Sequence, residues 1–130
     1  MIKELTTFIS TKTALVTGVT LFAGFIPSDV TEDAVSVIES GGVPDFDLTD
    51  KEAKTVQVLS LSRNYWTARS NALLVHGVLH GMKGETLSKI DGGPYFVNAG
   101  EALSVPQSLG QDEKGRFAFS TNYVLRIENY

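Results

Sequence analysis

The chain has 130 residues, a formal net charge of −4 and no cysteine. This length suits one domain spanning residues 1–130, and the hydrophobic content of 42% is ordinary for a globular protein. The acidic balance argues against a protein that binds nucleic acid phosphates, and the lack of cysteine excludes disulfides and thiolate chemistry. With no leader-like N-terminus and no apolar run of about 18 residues, we expect no membrane partner.

The first half of the chain predicts one helix and three strands. Apolar residues at helical spacing predict a short amphipathic helix over residues 2–10. Three runs rich in aliphatic and aromatic residues predict strands over residues 21–27, 34–40 and 54–62. In the third run apolar residues occupy both parities, which predicts either a β-bulge or burial on both faces.

The second half predicts one long helix and further strands. Asn64 suits the cap of a helix over residues 65–82, whose apolar stripe is Tyr65, Ala68, Ala72, Val75, Leu79 and Met82. Residues 95–110 predict one or two irregular strands, with Pro106 at an edge or bulge, and strict alternation over residues 117–127 predicts a half-buried strand. This order predicts an α+β fold: a mostly antiparallel β-sheet with one long helix packed on one face and a short N-terminal helix.

The acidic segment before the third strand has part of the pattern of a calcium site. Asp45, Asp47 and Thr49 have the alternate spacing of a calcium loop. Such a loop needs Gly at its sixth position and Glu at its twelfth, where this chain has Asp50 and Val56. We therefore expect a solvated segment and no metal site here.

Catalytic chemistry has equally weak support in the sequence. The same carboxylates alternate with Lys51 and Lys54 in a polar segment, whereas a general acid needs burial or a close partner. His76 and His80 have a spacing that can bind zinc, but Gly77 stands where a metalloprotease has its general base. We expect no catalytic, cofactor-binding or metal-binding residue, and a protein that is not an enzyme.

Glycine pairs and aromatic residues also favour structural roles. Gly41-Gly42 and Gly92-Gly93 mark turns, and neither lies between a strand and a helix start, so neither predicts a phosphate cradle. The aromatic residues lack the interleaved basic residues of a base-stacking platform and are expected in the core and a subunit interface: Tyr65, Trp66, Phe117, Phe119 and Tyr123.

Four stretches, residues 21–27, 34–48, 54–82 and 110–127, resemble the tail-terminator or minor capsid (tail-completion) proteins of long-tailed bacteriophages. The shared pattern joins a strand ending at proline, a Glu-x-Gly-Gly turn, a polar Pro/Asp segment, a helix opened by an aromatic residue and a final G-x-D-x-x-G-R turn. The residues that carry it are Pro27, Glu39, Gly41, Gly42, Pro44, Asp45, Tyr65, Ala68, Arg69, Gly110, Asp112, Gly115 and Arg116.

This resemblance implies a structural virion protein without catalysis or cofactor. Such proteins form a ring, usually a hexamer, that caps the tail tube, ends its polymerisation and joins tail to head. The implied partners are other copies of the chain, the tail tube protein and a head–tail connector or stopper protein, with DNA only passing through the lumen. The implied location is the tail or neck of the virion, after synthesis in the host cytoplasm.

Three alternatives remain open from the sequence. The nearest is a head-side connector or stopper of the neck. From a different class, a small hydrolase could use Asp45 or Asp47 with His76, and a ligand-binding module could use the aromatic cluster. Oligomeric state would separate these classes, because the first requires a ring and the others do not.

Within the tail-terminator interpretation, residues 41–53 are expected to form an interaction arm. The glycines free its backbone, Pro44 stiffens it, and its acids keep it soluble until a partner orders it. Apolar side chains would anchor it in a neighbour, with the aspartates on the wet rim. The predicted assembly interface is Gly41, Gly42, Val43, Pro44, Asp45, Phe46, Asp47, Leu48 and Asp50.

Overall fold

The structure is a computed structural model that describes residues 1–44 and 51–129, which form two helices and seven strands. In chain order they are α1 Ile2–Lys12, β1 Leu21–Ala23, β2 Ala34–Pro44, β3 Lys51–Ser62, α2 Tyr65–Leu79, β4 Lys83–Leu87, β5 Tyr95–Ala102, β6 Gln107–Gln111 and β7 Phe117–Asn129. The predicted α+β fold is confirmed. Neither described helix combines the length and apolar character needed to cross a membrane.

The strands form one sheet with the order β1-β2-β3-β7-β5-β4, and β6 pairs separately with β7. Only β1 and β2 are parallel among the named pairs. β7 is the central strand: it pairs with β3 without a break from Phe117 to Glu128, and its other edge pairs with β6 and then β5. The strict alternation of this strand suits its central place, because one face of it must be buried along its whole length.

Both helices pack on the same face of the sheet. Leu5 and Ile9 of α1 share one core cluster with Val75 and Leu79 of α2, and with alternate residues of β2, β3 and β7. The side chains that β2, β3 and β7 contribute to this cluster are Val35, Val37, Val56, Val58, Tyr123, Leu125 and Ile127. Their common parity shows that one face of the sheet carries the main core.

The long helix begins and packs as its sequence predicts. The Asn64 side chain accepts hydrogen bonds from the backbone N–H groups of Trp66 and Thr67, at 2.9 and 3.3 Å. Its buried stripe is Ala68, Ala72, Val75 and Leu79. The small side chain of Ala68 lets the helix approach the sheet, and the Ser60 hydroxyl donates to the Ala68 carbonyl at 2.8 Å.

Several boundaries differ from the predictions. α2 ends at Leu79, not at residue 82, because the chain turns through Gly81, whose φ is +83°. β1 ends at Ala23 and not at residue 27, since Gly24 has a φ of +91°. β4 was not predicted, and residues 95–110 form two separate strands, β5 and β6.

The face of the sheet opposite α1 and α2 is only partly covered. Ile38, Leu59 and Val124 are half-buried there, and the Gln57 amide donates to the Ser120 hydroxyl at 2.9 Å. β3 has apolar residues at both odd and even positions because the end of the strand is buried on both faces of the sheet. The alternative explanation, a bulge in β3, is not seen in its pairing with β7.

Candidate functional site

The arm predicted from the sequence begins as an extension of the sheet. Gly42, Val43 and Pro44 of β2 pair with Lys54, Ala53 and Glu52 of β3, so the predicted strand bounds at residues 40 and 54 are wrong, and both strands continue into the segment. A β-bulge lies between Glu39 and Gly42, and Gly41 within it has a φ of +100°. The backbone freedom expected of Gly41 is therefore used to adopt the positive φ of this bulge.

The tip of the arm lies outside the described residues. These positions are Asp45, Phe46, Asp47, Leu48 and Asp50, together with Thr49 of the calcium-loop comparison. The side chains of residues 42–52 are also outside the description, so the predicted assembly interface stays a prediction. The backbone shows only that its base is a two-stranded ribbon in register with β7.

The outer edge of that ribbon is open in the described chain. β1 pairs with Val35, Ser36 and Val37 only, which leaves the part of β2 beyond Val37 with no strand partner among the described residues on that edge. Unpaired backbone donors and acceptors on a strand edge are a template for pairing with another chain. The base of the arm thus has the chemistry of an assembly surface.

The G-x-D-x-x-G-R turn anchors the connection between β6 and β7. The Asp112 carboxylate accepts from the backbone N–H groups of Lys114 and Arg116 and forms an ion pair with the Arg116 guanidinium at 2.9 Å. These bonds outweigh burial and lower the pKa of Asp112. The buried guanidinium also donates to the carbonyls of Val30 and Glu32, so this turn fixes the segment before β2.

The two histidines make a stacked pair against the sheet. Their ring centroids are 5.1 Å apart. His76 Nδ1 lies 3.2 Å from the Tyr123 hydroxyl, and His80 Nδ1 accepts from the Ala102 N–H at 3.0 Å. Burial and the neighbouring His80 lower the pKa of His76, and burial raises the pKa of Tyr123 to about 12. In the described part of the chain, no three His, Cys, Asp or Glu side chains are grouped to hold a metal ion.

A buried carboxylate was missed by the sequence reasoning. Glu4 is 1% exposed, and its Oε2 accepts from the backbone N–H groups of Ile90, Asp91 and Gly92 at 3.1, 2.6 and 3.2 Å. Its Oε1 lies 3.0 Å from the Met1 ammonium. The turn before Gly93 therefore does form an anion cradle, but the chain fills it with its own carboxylate, and only the acid in the first turn of α1 hinted at this.

Large apolar side chains are exposed at several places on the described surface. Trp66 is 68% exposed in the first turn of α2, and Leu73 and Leu74 are exposed further along the same helix. The aromatic residues were expected in the core and in a subunit interface. Phe119 and Tyr123 are buried in the core, whereas Trp66 points away from it. An exposed tryptophan on a helix is typical of a protein contact surface.

Comparison with known proteins identifies the family. The family model described as bacteriophage tail terminator protein matches residues 8–129. The chain belongs to the bacteriophage tail terminator family. The tail terminator resemblance seen in the sequence is confirmed, and the chain is a structural protein of the phage tail.

A solved structure adds an independent view of the fold. The tail terminator chain matches part of the "Virion of native gene transfer agent (GTA) particle" with a TM-score of 0.58 and 14% sequence identity, over 86% of this chain and 81% of that chain. At this identity the likeness concerns the fold alone. No curated protein matches the chain.

Residues of the tail terminator pattern have mainly structural roles in the described chain. Tyr65 packs edge-on against Phe117 and Phe119, with ring centroids 5.6 and 5.2 Å away. Arg116 and Asp112 hold the final turn. Arg69 differs from these residues, since it is exposed on the helix that also carries Trp66.

Proposed function

We propose that this protein forms a closed ring, a hexamer, on the head-proximal end of the tail tube. The ring ends polymerisation of the tube and offers the surface to which the filled head docks. Membership of the tail terminator family over residues 8–129 is the observation that carries this proposal. The neighbours of the ring are then the tail tube protein on one side and a connector or stopper protein on the other.

The surface chemistry of the subunit supports assembly into a ring. A cyclic homo-oligomer repeats one heterologous contact, so each subunit needs two different complementary surfaces. The described chain has an open strand edge at the base of the arm and, separately, exposed apolar side chains on α2. We assign the arm, with the residues predicted from the sequence, as one of these surfaces.

The overall charge of the chain suits a passage for DNA. A ring around the DNA path must let phosphates slide, and a net charge of −4 per subunit does not favour strong phosphate binding. DNA is therefore a passing molecule in this proposal and not a specific ligand. The protein works in the tail or neck of the virion after synthesis in the host cytoplasm.

The test joins oligomeric state to tube length. Native mass spectrometry and electron microscopy of the purified protein should show closed rings, and adding the protein to polymerising tail tube protein should give tubes with a ring at one end and restricted growth. The double variant Phe46→Ser/Leu48→Ser should fold normally by circular dichroism and lose both effects. The matched control Val16→Ser/Val19→Ser removes exposed apolar area elsewhere and should keep both.

A wild-type protein that leaves tube growth unchanged and shows no ring on tube ends would reject this proposal. Normal capping by the Phe46→Ser/Leu48→Ser variant would reject only the assignment of the arm, and would leave the open sheet edge as the assembly interface.

A further inference from the structure

The outer side of α2 combines apolar and cationic residues in one narrow band. At 100° per residue, Trp66, Arg69 and Leu73 lie within about 60° of the helix circumference. All three are exposed, with Trp66 at 68% and Leu73 at 40%. Tryptophan and arginine are the residues most enriched at interface hot spots, so this outer α2 face has the composition of a binding surface.

The end of β5 lies beside the C-terminal end of the same helix. The Ala102 N–H donates to the Nδ1 of His80, the residue that follows α2, at 3.0 Å. Leu103, the next residue of the chain after Ala102, is 61% exposed. The outer α2 face is defined here by Trp66, Arg69 and Leu73, and Leu103 is a further exposed apolar side chain near the end of the helix.

Charge identifies the partner of this face. Residues 63–82 contain Arg63 and Arg69 and no carboxylate. Among the described residues, no carboxylate forms an ion pair with Arg69. The β2–β3 hairpin has the opposite character, because residues 39–52 carry Glu39, Asp45, Asp47, Asp50 and Glu52 against a single lysine, together with apolar Val43, Phe46 and Leu48. An acidic segment with apolar side chains is complementary to a cationic face with exposed apolar side chains.

The hairpin cannot meet Trp66 within one subunit. β3 runs for 12 residues from Lys51 at the arm to Ser62, just before α2 begins. A strand of that length spans roughly 36 Å. Residues 45–50 are too few to fold back over that distance, since a chain of six residues reaches at most about 21 Å when fully extended.

We propose that the outer α2 face binds the β2–β3 hairpin of a second copy of this chain. The two surfaces are different, and Trp66 lies at the opposite end of β3 from the arm, so the contact is heterologous and repeats from copy to copy. This inference rests on the proposed ring and adds its receiving surface. Trp66 and Leu73 supply the apolar contact, and Arg69 faces the carboxylates of the incoming hairpin.

Cysteine pairing tests the contact directly, because the natural chain has no cysteine. Leu73→Cys and Phe46→Cys, prepared separately and mixed under mild oxidation, should form a mixed disulfide. The matched control replaces Leu73→Cys by Val19→Cys, which is also an exposed apolar position. The 46/73 pair should cross-link at least about tenfold more than the 46/19 pair, since a bound neighbour raises the effective concentration of the two thiols.

Charge exchange provides a second readout. Arg69→Glu should weaken assembly at low salt, Arg69→Lys should retain most of it, and Arg69→Glu combined with Asp47→Lys should recover it in part. Trp66 is the only tryptophan, so its emission should shift to the blue when subunits assemble and stay unshifted in the Arg69→Glu protein.

The outcomes separate this inference from the ring itself. Rings of the unmodified chain without preferential 46/73 cross-linking would overturn the inference and leave the ring intact, and the outer α2 face would then serve a different partner. An unmodified chain that stays monomeric and forms no preferential cross-link would overturn both. Preferential cross-linking with charge rescue would support the hairpin of a second copy as the occupant.

Discussion

The buried carboxylate of Glu4 gives the sharpest test of the fold. Its Oε2 accepts three backbone N–H groups from the turn before β5, 86 to 88 residues away in the chain. Glu4→Gln keeps the shape and one acceptor oxygen but removes the charge. We expect the variant to fold, because its core residues are unchanged, and to be clearly less stable at pH 7.

The pKa gives the size of this loss. Burial of Glu4 raises its pKa. The backbone hydrogen bonds to the carboxylate and the nearby Met1 ammonium together outweigh burial, and they lower the pKa of Glu4 from 4.5 to about 2. At about 1.4 kcal/mol per pKa unit, the ionised carboxylate contributes on the order of 3 kcal/mol to the free energy of unfolding. Since the folded pKa is the lower one, this contribution is complete above pH 4.5 and is lost as the pH falls towards 2.

Urea titrations followed by circular dichroism, at several pH values from 7 to 2.5, measure this difference. The difference in the free energy of unfolding between wild type and Glu4→Gln should be largest at pH 7 and should become smaller below pH 4.5. The control Glu101→Gln changes an exposed glutamate and should stay close to wild type throughout. A gap that is the same at pH 7 and pH 2.5 would refute the assignment of the loss to the ionised carboxylate.

Three further predictions concern packing and the final turn. Leu79→Ala should cost about 2–5 kcal/mol in a denaturant titration, and a loss below about 1 kcal/mol would mean that a different face of α2 meets the sheet. Gly100→Ala should cost about 1–3 kcal/mol, because a Cβ there would lie 2.6 Å from the Leu79 carbonyl oxygen, and an unchanged melting temperature would contradict this contact. Arg116→Ala should cost roughly 1.5–3 kcal/mol, because it removes the charge-assisted hydrogen bond to the half-buried Asp112, and Asp112→Ala/Arg116→Ala together should cost less than the sum of the single losses.

Local periodicity was enough to predict the central parts of this fold. The alternation of β7 and the stripe of α2 each extend over many residues, so the buried face is specified repeatedly. Asn64 was equally readable because a helix cap depends only on the next two or three residues. These features explain why the fold class and the packing of α2 followed from the sequence.

Other features depend on contacts that no local pattern reports. β4 has only one buried side chain, Leu87, and its sequence of Lys, Gly, Glu, Thr and Leu lacks the β-branched and aromatic enrichment typical of a strand. Its pairing with β5 decides its conformation. The Glu4 cradle joins α1 to a turn near residue 90, and such a long-range contact leaves no trace in either segment alone.

The sequence of α2 contains part of the information needed to predict the candidate site. A helix packed on one side of a sheet normally has one apolar stripe, yet Trp66, Leu73 and Leu74 are apolar outside the buried stripe. That excess could have been noted from the sequence as a second face. The base of the arm, by contrast, was not predicted as a strand, because Gly41 and Gly42 interrupt the pattern and indicate a turn. In the structure these glycines lie at a bulge, and β2 continues to Pro44.

The bulge at Gly41 has a consequence for ring closure. A heterologous contact gives a ring only if the angle between neighbouring subunits is fixed, and otherwise gives an open filament. The base of the arm is held on one side by β3, which in turn is paired with β7, so its direction follows from the sheet. A bulge bends and twists a strand at a defined point, and the φ of +100° at Gly41 favours glycine there. In the proposed ring, this glycine therefore sets the direction in which each arm leaves its subunit, which makes the angle between copies a property of the fold.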